Sequence, residues 1–101
     1  MTIARFEHVS GAQYAADTQG CTGLLPVGSI PLPVRATSGS AGYDFTATCD
    51  VTLAPGQSAL IPTGIRARME PGWVLLLFPR SSLGFRHGVR LANTVGVIDS
   101  D

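Results

Sequence analysis

The chain has 101 residues, enough for one domain with a single modest core. Apolar residues make up 45% and charged residues only 14%, which excludes a charge-rich disordered chain. The formal net charge is zero, so the composition implies no general attraction to nucleic acid or to a membrane surface.

The 12 Gly and 7 Pro are spread along the chain, which suits short strands joined by many turns. Residues 2–9 alternate loosely and predict a strand. Ser10 and Gln13 have the spacing of a capping box, predicting one short N-terminal helix over 11–18 that ends before Gly20. Residues 19–29 read as an irregular connection, so 1–29 is an N-terminal extension and the domain proper is 30–101. Pro31 and Pro33 make 30–36 an extended edge segment, because proline lacks the ladder donor. Thr37–Ser40 is a turn. Residues 42–48 alternate, with Tyr43, Phe45 and Ala47 on one face and Asp44, Thr46 and Thr48 on the other, and Tyr43 is expected in the core. Residues 50–53 predict another short strand, and Pro55-Gly56 a turn. Ile65, Ala67 and Met69 alternate with Arg66, Arg68 and Glu70. The apolar run Trp73–Phe78, bounded by Pro71-Gly72 and Pro79, predicts a strand buried on both faces. A loop follows over 80–84, then extended stretches over 89–92 and 95–99. That makes about seven or eight short strands spaced roughly 8–12 residues apart, an all-β sandwich or barrel.

All seven basic residues are arginine, and Arg66, Arg68, Arg80, Arg86 and Arg90 fall close together. Arg80, Ser81 and Ser82 set a fixed cation beside two hydroxyls, and Gly84 allows a close backbone approach; guanidinium forks, hydroxyls and free amides together suit phosphate oxygens. The apolar stretch Val95–Ile98 then delivers Asp99 and Asp101. A phosphate nest followed by a strand-borne acid is the equipment for hydrolysing a phosphate ester or anhydride, with the acid orienting or deprotonating a water. Taken alone, the same residues read first as a solvated turn and a strand leaving the core, and Asp44 as a solvent-facing strand acid or a turn cap. Cys21 and Cys49 are too few for a disulfide scaffold and lack metal-site spacing, which reads as free thiols in a reducing compartment. His8 and His87 sit in no ligand pattern. No apolar run has the length of a signal peptide or membrane span, so a cytoplasmic protein is expected.

Three stretches together resemble one family, the homotrimeric dUTPases. Ala41-Gly42-Tyr43-Asp44-Phe45, preceded by Leu32-Pro33 and Arg35–Ser40, resembles the first motif. Pro79-Arg80-Ser81-Ser82-Leu83-Gly84 resembles the second, with Ser82 where many relatives have glycine. Asn93–Asp101 resembles the third. Order and spacing agree across about 30–101. The resemblance implies a jelly-roll-like β-sandwich of the β-clip kind, incomplete at the C-terminus, assembling as a homotrimer with active sites between subunits. It implies hydrolysis of dUTP to dUMP and pyrophosphate by water attack at the α-phosphorus.

By the same resemblance, Asp99 is the acid that activates the water. Arg80, Ser81 and Ser82 belong to the phosphate-binding segment, with Ser81 and the adjacent amides on the α- and β-phosphates. Asn93, Val95, Gly96, Val97, Ile98 and Asp99 belong to the hairpin that reads the uracil edge and deoxyribose. Asp44 is linked to the organisation of the site near metal-bound water. Mg2+ is expected through the triphosphate and water, with no direct protein ligand. Cytosine would leave a hydrogen-bonding group of such a site unpaired.

Family members continue past the position of Asp101 with a tyrosine that packs on the sugar, a fourth motif and a glycine-rich, arginine-bearing arm. None of these is present here, so weak or absent turnover is expected of the 101 residues alone. Two other readings stay open. One is a dCTP deaminase-type enzyme on the same fold; the other is a non-catalytic interaction module on a dUTPase scaffold.

Overall fold

A computed structural model describes residues 2–101. The chain divides into two compact units: Phe6–Ala67, and a second that joins the chain up to Arg5 with Arg68–Asp101. The regular elements are β1 (Ala4–His8), α1 (Gly11–Asp17), a 3-10 turn at Val27–Ser29, β2 (Ile65–Met69), β3 (Leu75–Leu77), α2 (Ser81–His87) and β4 (Gly96–Ile98).

In the Phe6–Ala67 unit, Ser10 opens α1 by accepting the Gln13 N–H at 3.1 Å. Only half of the expected box forms, because the Gln13 amide reaches forward to Asp17 at 2.7 Å, one helical turn on. The predicted helix is therefore present despite its poor apolar face, and a single residue anchors it. Tyr14 is buried, and its hydroxyl donates to the Leu25 carbonyl at 2.6 Å. Thr18 ends the helix with both its N–H and its hydroxyl on the Tyr14 carbonyl. Around Tyr14 the core gathers Ile30, Thr18, Thr48 and Gly64. Thr48 is fully enclosed and satisfies its hydroxyl by donating to the Pro62 carbonyl. His8 Nε2 lies 2.8 Å from the Ile30 carbonyl, tying the end of β1 to the same centre.

β1 and β2 make a two-stranded sheet. The bonds Val9 N–H to Gly64 O and Glu70 N–H to Ile3 O, both 2.9 Å, bracket it and set an antiparallel register, each bond lying within one unit. β2 alternates half-buried Ile65, Ala67 and Met69 with exposed Arg66 and Arg68, as its sequence predicts. The register puts Arg66 opposite Glu7, where they form a 2.9 Å ion pair. It also puts Arg5 opposite Arg68.

In the second unit, β3 and β4 pair antiparallel, with Leu75 opposite Ile98 and Leu77 opposite Gly96. Gly96 packs closely there. A Cβ at that position would stand 3.0 Å from the Leu77 Cβ.

The regular β-structure of the described residues is thus two small antiparallel sheets, fewer strands than the spacing of turns predicts. The segments 30–36 and 42–48 meet only at an isolated bridge between Val34 and Asp44, and 50–53 only at Thr22–Asp50. Prolines 31 and 33 leave the segment without N–H donors on the edge that faces away from Asp44, so it cannot sit centrally in a sheet. Tyr43 is half exposed, with its ring 5.7 Å from Phe6 and the Arg35 guanidinium 5.5 Å from its centroid. The run Trp73–Phe78 is not buried on both faces: only Leu75–Leu77 forms strand, and Trp73, Val74, Leu76 and Phe78 are exposed. A ladder of three pairs has too little area to cover that run.

Candidate active site

Pro79 ends β3, having no N–H to give the ladder. Arg80 follows with extended backbone (φ −66°, ψ 146°), and the chain then turns into α2. The segment expected to be a loop is therefore helical from Ser81 to His87. Gly88 stops it at φ 65°, in the left-handed region, with its N–H on the Gly84 carbonyl at 3.2 Å. Arg86 and His87 sit in the last turn, where cationic groups complement the helix dipole. This junction brings Arg80 and Ser81 together. With Pro79, Gly84 and Phe85 they line a recess of about 340 Å³. Phe85 is 91% exposed and forms its apolar wall. Ser82 lies on the same first turn but outside the recess lining.

The stretch from Asn93 to Asp99 lies in the same unit. Its turn carries a feature that sequence reasoning misses. Thr94 has φ 69°, the one non-glycine residue with positive φ among those described, and the Val95 N–H donates to the Asn93 carbonyl at 2.7 Å. A two-residue-span bond around a positive φ makes a γ-turn, and a β-branched residue there stores roughly 1–3 kcal/mol of strain. A reader of the sequence would assign the left-handed position to Asn93, which tolerates it better; nothing in the sequence marks Thr94 instead. β4 then runs from Gly96 to Ile98 with β3 as its neighbour in a two-stranded sheet. Among the described residues its other edge has no strand, so alternate main-chain N–H and C=O groups there face outward.

The β3–β4 register separates the two halves of the predicted site. Asp99 follows Ile98 and lies beyond the Leu75 end of the ladder, whereas Arg80 and Ser81 leave from the Leu77 end. About 13 Å of strand separates the level of Asp99 from that of Phe78. Asn93 and Val95 are at the Arg80 end. Asp44 is in the other unit, half-buried, with its N–H on the Val34 carbonyl at 2.9 Å. Beside it Phe45 packs edge-on to Phe6 at 5.6 Å. Among the described residues no three His, Cys, Asp or Glu side chains converge on one point. No helix among them is long and apolar enough to cross a membrane.

Known proteins are similar to this chain in sequence. Residues 28–101 match the dUTPase family model. The deoxyuridine 5'-triphosphate nucleotidohydrolase of Roseobacter denitrificans is 51% identical over 76 residues, 72% of this chain and 50% of the relative. That of Azotobacter vinelandii is 54% identical over 74 residues, 70% of this chain and 49% of the relative. That of Shewanella baltica is 53% identical over 75 residues, 71% and 49% respectively. The chain spans about half the length of these relatives.

Proposed function

Since the chain belongs to the dUTPase family, a β-rich family, we propose that it is part of an enzyme that hydrolyses dUTP to dUMP and pyrophosphate. The observation that carries this reading is the β3–α2 junction. It sets Arg80 and Ser81 on one recess, next in sequence to a strand whose partner, β4, has no strand on its other edge among the described residues. Arg80 and Ser81 hold the phosphates, with Ser82 beside them on the same turn. Asn93, Val95, Gly96, Val97 and Ile98 present main-chain donors and acceptors to the uracil edge. A pyrimidine with an amino group in place of the carbonyl leaves one of those groups unpaired and is rejected. Asp99 orients a water and takes its proton as the water attacks the α-phosphorus. Asp44 organises the site from the first motif.

The separation of Asp99 from Ser81 along the ribbon supports a site completed between copies of the chain, in a homotrimer of jelly-roll domains. One chain then offers its acid while another offers its phosphate recess. A divalent cation, Mg2+ in this reading, arrives on the triphosphate as part of the substrate, where it offsets charge on the phosphate oxygens. Residues 1–29 are an extension to the domain at 30–101, and the enzyme works in the cytoplasm.

Pyrophosphate release from dUTP, with UTP, dCTP and ammonia release as controls, tests this on the chain extended past Asp101 to the length of its relatives. Release from dUTP and not from dCTP is expected, and Asp99→Asn should lower it about 10²–10⁴-fold. An Asp99→Asn enzyme with undiminished turnover, or ammonia in place of pyrophosphate, would overturn the assignment.

A further inference from the structure

We propose that Cys21 and Cys49 form a thiol–disulfide site, which disulfide oxidants of the glutathione class close into an intramolecular bond. The bond would tie the segment before the family-matched residues 28–101 onto that region. Neither the phosphate chemistry nor the uracil reading uses these two residues.

The backbone holds the pair in place. Thr22 and Asp50 form an antiparallel bridge, with the Asp50 N–H on the Thr22 carbonyl at 2.9 Å. The Leu25 N–H donates to the Thr48 carbonyl, also at 2.9 Å. Between these two bonds Gly23 and Leu24 face Cys49 alone, the two-against-one count of a β-bulge. Gly23 takes φ 63° there. Cys21 precedes one bridged residue and Cys49 the other. Side chains alternate along extended backbone, so both thiols leave the side opposite Thr22 and Asp50. The Cys21 N–H is itself held, on the Thr18 carbonyl at 3.0 Å, at the end of α1. The two residues lie diagonally across the Thr22–Asp50 bridge on one face, where the Cys49 thiol is near enough to act on that of Cys21. Both are free and only half-buried, so a small disulfide can reach them.

The exchange balances without any further reactant. One protein thiolate attacks a sulfur of oxidised glutathione, the glutathione S–S bond breaks, and one glutathione thiolate leaves. The second protein thiol gives its proton to water and attacks the mixed disulfide, expelling the other glutathione. Two protein thiols are oxidised and one disulfide is reduced to two thiols. Partial burial, and then the neighbouring Cys49 thiol, hold the Cys21 thiol above its ordinary 9.0, so the reaction quickens with alkaline pH.

The test exposes the purified chain to oxidised glutathione at about millimolar concentration and pH near 8. Intact mass should fall by two hydrogens, and a non-reducing digest should yield the Cys21 peptide joined to the Cys49 peptide. Because the thiols are pre-positioned, singly glutathionylated protein should stay at least about tenfold below the closed form. Unfolding the chain in urea should reverse that preference, and Cys21→Ser should arrest the reaction with glutathione on Cys49. Glutathione adducts accumulating separately on the native chain would overturn the proposal. So would an equal yield of the closed form from native and urea-unfolded protein.

Discussion

Replacing Gly64 by alanine should be among the most damaging small changes available to the Phe6–Ala67 unit. Gly64 has φ 69°, where an L-residue with a Cβ costs roughly 1–2 kcal/mol. The new methyl would also stand 2.5 Å from Ile30 Cδ1 and 3.0 Å from Tyr14 Cε1. Neither neighbour is free to retreat. Ile30 is 2% exposed, Tyr14 is 5% exposed, and the Tyr14 hydroxyl is held by Leu25. Overpacking of this kind costs roughly 1–3 kcal/mol. The stiffer unfolded chain returns about 0.4–1 kcal/mol. A net loss of about 2–4 kcal/mol follows, which for a domain of this size lowers Tm by roughly 10–20 °C. Urea and thermal unfolding followed by far-UV circular dichroism measure it, since exposed Trp73 belongs to the other unit. Ile30→Val removes the nearest atom, so the double variant should be less unstable than the sum of the singles by about 0.5–2 kcal/mol. A Gly64→Ala chain within about 0.5 kcal/mol of the parent would refute the reasoning, as would strict additivity of the pair.

Thr48→Val keeps the shape of a fully buried side chain but strips the donor from the Pro62 carbonyl, and should cost about 1–3 kcal/mol in urea unfolding. Arg68→Glu turns an exposed like-charge pair with Arg5 into an opposite-charge one. A gain of about 0.2–1 kcal/mol at low salt is expected, shrinking as ionic strength rises. The raised pKa of Cys21 sets a pH dependence. Below 9.0 the thiol is neutral in both states and contributes nothing to the balance; as pH climbs from 9.0 through the higher folded value, ionisation favours the unfolded chain and stability falls. The urea midpoint of the parent should therefore drop more steeply above pH 9.0 than that of Cys21→Ser.

Much of the local structure was legible from neighbours in sequence. Alternation of Ile65, Ala67 and Met69 with arginines predicted β2 and its wet face, and Ser10 with Gln13 predicted α1. The three motifs pointed to the family that residues 28–101 match. Each of these signals is short-range: a period of two, a cap three residues from its acceptor, a run of residue types at set spacing.

What the sequence misled on is decided by partners far along the chain. The apolar run at 73–78 looked doubly buried, yet burial depends on which surfaces arrive to cover it, and a ladder of three pairs covers little. Ser81–His87 became a helix because Gly88 can hold a left-handed stop and return its N–H to Gly84, a local option that Pro79 and the phosphate motif obscured. The tie from Tyr14 to the Leu25 carbonyl, the nearness of Cys21 to Cys49 and the Asp99–Ser81 separation each depend on chain pairing. Residue type determined which chemistry was available. Only the register of paired strands decided which of those groups stand together, because pairing sums many weak contacts over the whole chain and no single residue carries it.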